Sequence, residues 1–442
     1  MTAPALNTLL PLLLSLRPLF TLPSFCRFLT LFAGWVCTRG VHAVTESLVS
    51  AGVSGVRHHA AFHRFFSRAR WDIDQVGRLL LLRVVALMPG PLRLALDDTL
   101  CTHKGPHVFG LGAHLDPVRS TRQRRVFAFG HVWVVLSVLV PVPFCERVWA
   151  LPILMRLYRS PADCQKRGDP HQKKTQLARQ LIEQVSSWLP DKALELVADS
   201  AYACREVLRH LPRGVVFVGA MRANASLHRP RVRPGRSPVT GRQLTRDIPL
   251  PKPEQLAKDE TLPWLSMHLT LYGEPTQVRY KELVARWSHP AGKTLLKVVI
   301  VQVLRGQLPV RVFFCTDSSR TAQQVIETYA CRWGIEVLFR DLKQLLGFSS
   351  SRARSPLAVL RTAPWVAMCY TLLVLWYMDL GLDLSRMGLP LRPWYRTKQN
   401  VSFADILRLA QRTLASTDWV DPRRLLTRFH QEPTPRLRPK AA

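Results

Sequence analysis

Two short apolar runs, Leu92–Leu96 and Leu194–Ala198, each stop at an aspartate, Asp97 and Asp199. The first alternates through Arg93 and Ala95, and the second is too short for a buried helix, so both are read as strands. A carboxylate where a strand ends can project beyond its sheet. Between the two runs the Val-rich stretch Val132–Val140 predicts a second strand, and Trp149–Leu157 a third. Lys173–Trp188 sets Leu177, Leu181, Ile182 and Val185 on one face at helical spacing. Beyond Asp199, Ala201–Leu211 reads as a helix and Val215–Ala220 as a further buried strand. Strands that alternate with helices in this order imply a mixed α/β layer fold.

The flanks differ in texture. Residues 1–90 read as short helices. Phe62–Phe66 and Ser67–Trp71 mix His63, Arg64, Arg68 and Arg70 with aromatic side chains; such helices either contact DNA or bury their aromatics in a core. From Met221 to Gln243 the chain is loop-like. Trp264–Tyr272, Gln277–Trp287, Thr294–Val303 and Pro309–Phe314 then read as strands, so residues 221–314 form a β-rich insertion. A long helix is predicted over Ala322–Leu346, and residues 351–442 return to helix before a basic, Pro-rich tail expected to be disordered. Two apolar stretches invite a membrane reading. Val126–Phe144 holds His131, Pro141 and Pro143 and is read as a strand with its flanks; Ala363–Met378, bounded by Arg361 and Asp379, is read as a core helix. The run from Leu9 is broken by Pro11, Arg17 and Pro18 and is not read as a secretory signal.

A third acidic residue, Glu336, falls inside the predicted helix Ala322–Leu346. On a wheel at 100° per residue, Tyr329, Arg332, Glu336, Arg340 and Lys343 occupy an arc of about 80°. Ile335, Leu338, Leu342, Leu345 and Leu346 occupy a separate arc of about 100° that faces a core. The polar stripe thus joins an aromatic hydroxyl, a carboxylate and three cations. Phosphodiester cleavage needs this set. Two hard divalent cations can clamp the attacking and leaving oxygens, and three carboxylates can share two Mg²⁺ or Mn²⁺ ions. Arg332 can grip a phosphate with two parallel hydrogen bonds, and Lys343 adds a point charge. The bland alternative is an exposed ladder of ion pairs, since Arg332 and Arg340 each lie four residues from Glu336. Asp98 follows Asp97 directly, and strand alternation lets only one of the two face a site.

Charge separates these readings. Lys and Arg number 62 against 30 Asp and Glu, a formal net charge of +32. Self-repulsion of that size opposes the compact state and does little for an enzyme of small molecules; a nucleic acid relieves it. Nine cysteines stand singly, with no C-x-x-C pair, which argues for a reducing compartment and against structural zinc. His58, His59, His103, His107, His114 and His131 show no ligand spacing, and no phosphate-cradling glycine fingerprint suggests a nucleotide cofactor. His103-Lys104-Gly105, just after the first aspartate, is either a DNA contact or a plain loop.

The segment Tyr329-Ala-Cys-Arg332-Trp-Gly-Ile-Glu336-Val-Leu-Phe-Arg-Asp-Leu-Lys343 keeps every spacing of Y-x2-R-x3-E-x6-K. With Leu96-Asp97-Asp98-Thr99, Ala198-Asp199-Ser200-Ala201-Tyr202, Cys315-Thr316-Asp317 and Leu346-Gly347-Phe348, it resembles the DDE-class cut-and-paste bacterial insertion-sequence transposases over roughly residues 60–350. The family's D-x-T pattern selects Asp97 over Asp98. The resemblance implies an RNase H-like core over 91–220 and 315–350, with the first Asp on its first strand and the second after its fourth. It also implies catalytic and metal-binding roles for Asp97, Asp199 and Glu336, and DNA contacts for Tyr329, Arg332, Arg340 and Lys343. Two Mg²⁺ or Mn²⁺ ions, double-stranded DNA as element ends and target, a homodimer in the DNA complex, and a cytoplasmic, nucleoid-associated place with no membrane follow from it. DNA end binding is expected of residues 1–90. Members often pass through a hairpin end held by a tryptophan of the insertion, for which Trp264 and Trp287 are both candidates. The alternatives are an RNase H-like endonuclease without strand transfer and a noncatalytic DNA-binding descendant.

Overall fold

The computed structural model describes residues 2–105, 107–116, 118–121, 123–230, 235–236, 243–244, 247–304, 309–382, 384–387 and 398–431. It divides into two compact units: Met1–Val76 with Gly105–Phe109 and Asp341–Ala442, and Gly77–Lys104 with Gly110–Arg340.

The first unit is helical. Helices α1 (Thr2–Leu14), α2 (Leu22–Cys37), α3 (Val44–Ser50) and α4 (Ala60–Ser67) precede α5 (Ile73–Leu87). The two readings of the aromatic stretch separate by residue: Phe62, Phe65 and Phe66 are buried, while His63 and Arg64 face solvent. Trp365, from the long C-terminal helix Pro356–Leu380, meets Trp35 edge-on at 5.1 Å and Phe66 at 5.4 Å. That helix starts with Pro356 in its first turn and stops at Gly381, whose φ of 59° caps it in the left-handed region. It is long and apolar enough to cross a membrane by length and composition, yet 89% of its apolar window is buried inside the structure. It is the core helix that the sequence suggested. Its buried Arg361 donates to the Phe66, Ala69 and Trp71 carbonyls, which satisfies a charge that burial would otherwise penalise. The Pro-rich tail lies outside the described residues beyond 431.

The second unit is built on a sheet. Its strands are β1 (Leu92–Thr102), β2 (Gly112–Leu115), β3 (Phe127–Val142), β4 (Cys145–Tyr158), β5 (Leu194–Ala198) and β6 (Val215–Met221). Four two-residue strands follow, β7 (His228–Arg229), β8 (Gly235–Arg236), β9 (Gln243–Leu244) and β10 (Ile248–Pro249), then β11 (Leu265–Leu271), β12 (Glu274–Arg286), β13 (Leu295–Val303) and β14 (Arg311–Cys315). Helices α6 (Pro161–Arg167), α7 (Lys174–Trp188), α8 (Arg205–Leu208), α9 (Pro253–Leu256) and α10 (Ser288–Ala291) lie among them in the chain; α11 (Ala322–Ala330) follows β14, and the unit ends at Arg340 within α12 (Trp333–Leu345). The twelve-stranded path runs β10-β7-β12-β13-β14-β6-β5-β1-β3-β2, with β4 on β3 and β11 on β12. Only β5 runs parallel to its neighbours β1 and β6; the other pairs are antiparallel. The fold is therefore mixed α/β with a large mixed sheet and helices at both ends.

Two sequence expectations are corrected. β1 does not stop at Asp97. It continues to Thr102 because β3 is long enough to pair with it through Gly130, so Asp97 sits mid-strand opposite Val135. The helix expected over Ala201–Leu211 shrinks to Arg205–Leu208, since Asp199 Oδ1 accepts the Ala201 amide and holds the intervening residues in turns. After β6, β7 and β10 to β14 join the main sheet, linked to it by β14 on β6, while β8 and β9 pair with each other in a sheet of their own.

Candidate active site

The parallel register of β1 and β5 sets Leu96 beside Ala198, and Asp97 and Asp199 come next on each. One register thus brings the two aspartates of the sequence reading to the same level of the sheet. Asp97 is almost fully enclosed, and loss of hydration pushes its carboxyl up to about 7. The Arg332 guanidinium pulls it down, while the charge of Asp199 pushes it further up. Asp199 is also raised, first by burial, against the amide of Ala201 donating at 2.9 Å. Two buried carboxylates within reach of each other leave negative charge short of compensation.

Arg332 supplies part of that compensation. Its Nη1 donates to Asp97 Oδ2 at 2.7 Å and its Nη2 to Glu336 Oε1 at 3.1 Å, so one guanidinium joins two carboxylates. The helix expected over Ala322–Leu346 breaks beside it. Arg332 N–H bonds to Tyr329 O, Gly334 N–H to Cys331 O and Ile335 N–H to Arg332 O, all three residues back. That turn is 3₁₀-like, which separates α11 from α12 and shifts the phase of the wheel between them. Tyr329 consequently stacks on Phe313 of β14 with ring centroids 4.2 Å apart, and Arg332 lies 5.9 Å from the Tyr329 ring. Gly334 lets the first turn of α12 rest close on the sheet: a Cβ there would stand 3.2 Å from Val148 O and 3.3 Å from the Leu139 side chain. Arg340 and Lys343 follow Glu336 at about one and two turns of α12, and both are exposed.

Several residues next to this cluster were not foreseen. Glu195, buried within β5, pairs with Arg93 of β1 at 2.7 Å and with Arg320 at 3.4 Å. Arg93 also donates to Cys331 Sγ at 3.4 Å, in the turn that carries Arg332. An acid inside an otherwise apolar strand, four residues before Asp199 and so at alternating spacing on the same face, was the available signal. Tyr272 and Gly273 form the turn between β11 and β12 with φ of 58° and 85°, the positive pair a two-residue hairpin turn takes. The exposed Tyr272 ring meets exposed Trp333 edge-on at 6.0 Å. The two tryptophans of the sequence reading are elsewhere in this unit. Trp264 has Arg279 and Lys281 over its ring at 4.7 and 4.9 Å, and Trp287 packs edge-on against Phe314 at 5.6 Å.

Asp98 belongs to a different set. Its carboxylate accepts from Lys174 Nζ at 2.9 Å and from the buried Tyr202 hydroxyl at 2.7 Å. His103 and His131 lie with rings 5.6 Å apart, and His58 and His59 stack at 4.6 Å. Among the described residues, no group of three or more His, Cys, Asp or Glu stands ready around a common point to hold a metal ion; Asp97 and Glu336 are turned onto Arg332 instead.

Chemically, the arrangement offers buried carboxylates of raised proton affinity, a guanidinium between two of them, and cations along the following helix. Comparison with known proteins bears on what it serves. Residues 32–280, more than half of the chain, match the family model described as DDE superfamily endonuclease. Residues 289–386 match that of an archaeal ISC1217-type transposase. The first stretch contains Asp97 and Asp199, the second Tyr329, Arg332, Glu336, Arg340 and Lys343. No curated protein matches the chain.

Proposed function

The chain belongs to the DDE superfamily endonucleases, among the DDE-class insertion-sequence transposases, and from that premise we propose that Asp97, Asp199 and Glu336 are the carboxylates with which it cuts and rejoins DNA. The observation that carries this reading is the bridge from Arg332 to both Asp97 and Glu336, with Asp199 beside Asp97. Residues more than two hundred positions apart in the chain meet around one positive charge. We also read the core as RNase H-like. In support, the order β4-β3-β1-β5-β6 has an antiparallel trio followed by two strands parallel to β1, with the four-residue β2 set aside. Asp97 then lies on the first strand and Asp199 after the fourth.

The donors suit a divalent metal, which nucleases of this class generally use. They are hard carboxylate oxygens, as Mg²⁺ or Mn²⁺ requires, and the raised carboxyls of Asp97 and Asp199 mark charge that a cation would neutralise. Asp97, Asp199 and Glu336 would hold the metal, two ions in our reading, which supplies Lewis acidity and an activated nucleophile at neutral pH. Arg332, released from the carboxylates, turns its two-pronged face to a phosphate. Tyr329, its ring held on Phe313, offers its hydroxyl to the backbone, and Arg340 and Lys343 follow the strand along α12. In each displacement an oxygen of water or of a DNA 3′-OH forms a bond to phosphorus, and the bond to the departing DNA oxygen breaks. Hydrolysis at an element end, attack of the freed 3′-OH on the other strand and attack on target DNA differ only in the nucleophile. Paired ends imply two copies of the chain at work, and residues 1–90 are our assignment for end recognition.

The test is cleavage of a plasmid carrying the element's own flanking ends by wild type and Glu336→Gln, with Mg²⁺ or with EDTA. Metal-dependent cutting lost in Glu336→Gln supports the site, and joined products distinguish a transposase from an endonuclease without strand transfer. Equal cutting by the variant makes Glu336 an ion-pair residue and sinks the assignment. Tight binding to the ends without cutting by either protein would favour a noncatalytic descendant.

A further inference from the structure

Beyond the catalytic carboxylates, β3 runs past its main neighbours. β1 leaves it at Thr102 opposite Gly130, and β4 takes it up at Val132 opposite Tyr158. Gly130 also pairs with Gly112 and Phe127–Phe129 pair with Ala113–Leu115 of β2, the Phe129 carbonyl still accepting the His103 amide at 2.9 Å. Among the described strands, β2 and β3 alone therefore form a two-stranded ribbon at this end of the sheet. Gly130 permits the departure: a Cβ there would fall 2.2 Å from the Cys101 carbonyl oxygen.

The two faces of the ribbon differ. On one, His114 is buried and its ring lies 5.7 Å from Tyr158, which anchors the ribbon to β4. On the other, Ala113 opposes Phe129 and Leu115 opposes Phe127. All four are exposed, Phe127 by 63% and Phe129 by 53%. The described residues beyond hold one another by hydrogen bonds. Asp116 Oδ1 accepts the amides of Val118 and Arg119, Thr121 Oγ1 accepts that of Arg124, and Ser120 Oγ accepts that of Val126. Arg119, Arg124 and Arg125 face solvent. The acid among them, Asp116, is itself buried and reaches Arg119 at 3.7 Å.

Register ties this face to the site. Phe127, Phe129, His131, Trp133 and Val135 alternate along one side of β3, and Val135 is the partner of Asp97. The exposed aromatic face is thus the face of Asp97. At roughly 3.3 Å per residue, the eight positions from Val135 to Phe127 span about 26 Å. That is about eight steps of duplex DNA at roughly 3.4 Å each.

We propose that the β2–β3 ribbon is a DNA-holding arm, and the inference rests on the DNA-cutting function proposed above. Its apolar face enters a groove of the duplex whose reactive phosphodiester lies at Asp97, about eight base pairs away. Arg119, Arg124 and Arg125 take the phosphates beside that groove. A two-stranded ribbon fits the major groove in width. Aromatic and aliphatic side chains there meet thymine methyls and sugars, and three arginines match the charge of the backbone.

Fluorescence anisotropy with random-sequence duplexes of 5 base pairs, closed by a loop and too short to reach from Asp97 to the ribbon, and of 30 base pairs tests the arm without requiring cleavage. Wild type should prefer the longer duplex. Arg119→Ala/Arg124→Ala/Arg125→Ala should bind the 30-mer about ten- to a hundred-fold more weakly, with a salt slope shallower by about two to three. Phe127→Ser/Phe129→Ser should lose the preference for length while the salt slope stays. Both variants should bind the 5-base-pair duplex as wild type does, and circular dichroism should show them folded, since all five side chains are exposed. Wild-type affinity and slope in both variants overturn the arm and leave the DNA-cutting function standing. Failure of wild type to bind either duplex overturns that function, and the arm with it. If Phe127→Ser/Phe129→Ser instead breaks a dimer in sedimentation and binds the 30-mer normally, the face is a contact between copies of the chain and the arm is wrong.

Discussion

Asp97 and Asp98 are chain neighbours on one strand, yet their surroundings differ in kind. Asp98 finds a flexible ammonium, Lys174, and a buried neutral donor, Tyr202. Both hydrogen-bond its carboxylate, whose charge nevertheless adds to the upward push on Asp97 and Asp199. Asp97 finds a second carboxylate and a guanidinium it must share with Glu336. Hydration has been removed, and part of the negative charge is left over. Strand alternation produces the contrast: one residue of displacement turns the side chain from α7 to the junction of α11 and α12. A satisfied carboxylate holds a fold together, whereas an under-compensated one is poised to take a cation.

Cleavage by single variants should separate the two sides most sharply. Asp97→Asn, Asp199→Asn and Glu336→Gln should each lower the cutting rate by about a thousandfold or more, since each removes a charged donor worth several kcal/mol at the transition state. Asp98→Asn, which keeps an oxygen for Tyr202, should stay within about tenfold of wild type. A plasmid-nicking assay measures both, and comparable losses at Asp97 and Asp98 would dissolve the distinction. Arg332→Lys comes next. A point charge can sit near Asp97 but cannot grip two groups in a plane, so cutting should fall by about ten- to a hundredfold. Recovery of full activity by lysine would mean that charge alone matters at this position.

Much of this site could be read along the chain because its chemistry is local. The spacing from Tyr329 to Lys343 survives as a string of letters, and Leu194–Ala198 is apolar but for Glu195 and ends at Asp199. The parts that were missed depend on pairings the string does not contain. Asp97 was expected at a strand end because its own neighbours stop being apolar; the length of β1 is set by β3, some thirty residues later. The break at Cys331–Arg332 was hidden because, apart from Gly334, the residues from Ala322 to Leu346 tolerate a helix, and one glycine weakens a helix without ending it. Only the packing of Tyr329 on Phe313 and of Gly334 on β4 distinguishes two helices from one. Glu195 was passed over as a polar lapse in a strand, since its partners Arg93 and Arg320 are 102 and 125 positions away.

The Asp98 side should declare itself in stability. Asp98→Ala strands the buried Tyr202 hydroxyl and frees Lys174, which is 42% exposed and contributes little. The expected loss is about 1–3 kcal/mol, nearly all from the hydroxyl. Urea denaturation of Asp98→Ala beside Tyr202→Phe and the double variant checks it: if the two share one interaction, the double costs little more than either single. Additive losses would show that Asp98 and Tyr202 act separately.

The finest distinction is in pH. Asp97 has its carboxyl raised in the folded protein to about 7, above its ordinary value near 3.8. Between those values the folded state holds a proton that the unfolded chain has released. Stability from this group is therefore fully present below the ordinary carboxylate value and falls as pH rises toward about 7. In EDTA, the melting temperature of wild type relative to Asp97→Asn should drop by a few degrees between pH 4.5 and 7.5. Mg²⁺ should reverse the drop at pH 7.5 in wild type and leave Asp97→Asn unmoved, as a cation rewards the ionised form that burial penalises. A flat difference across pH would mean that Arg332 already neutralises Asp97 in full, and the leftover charge that sets it apart from Asp98 would not exist.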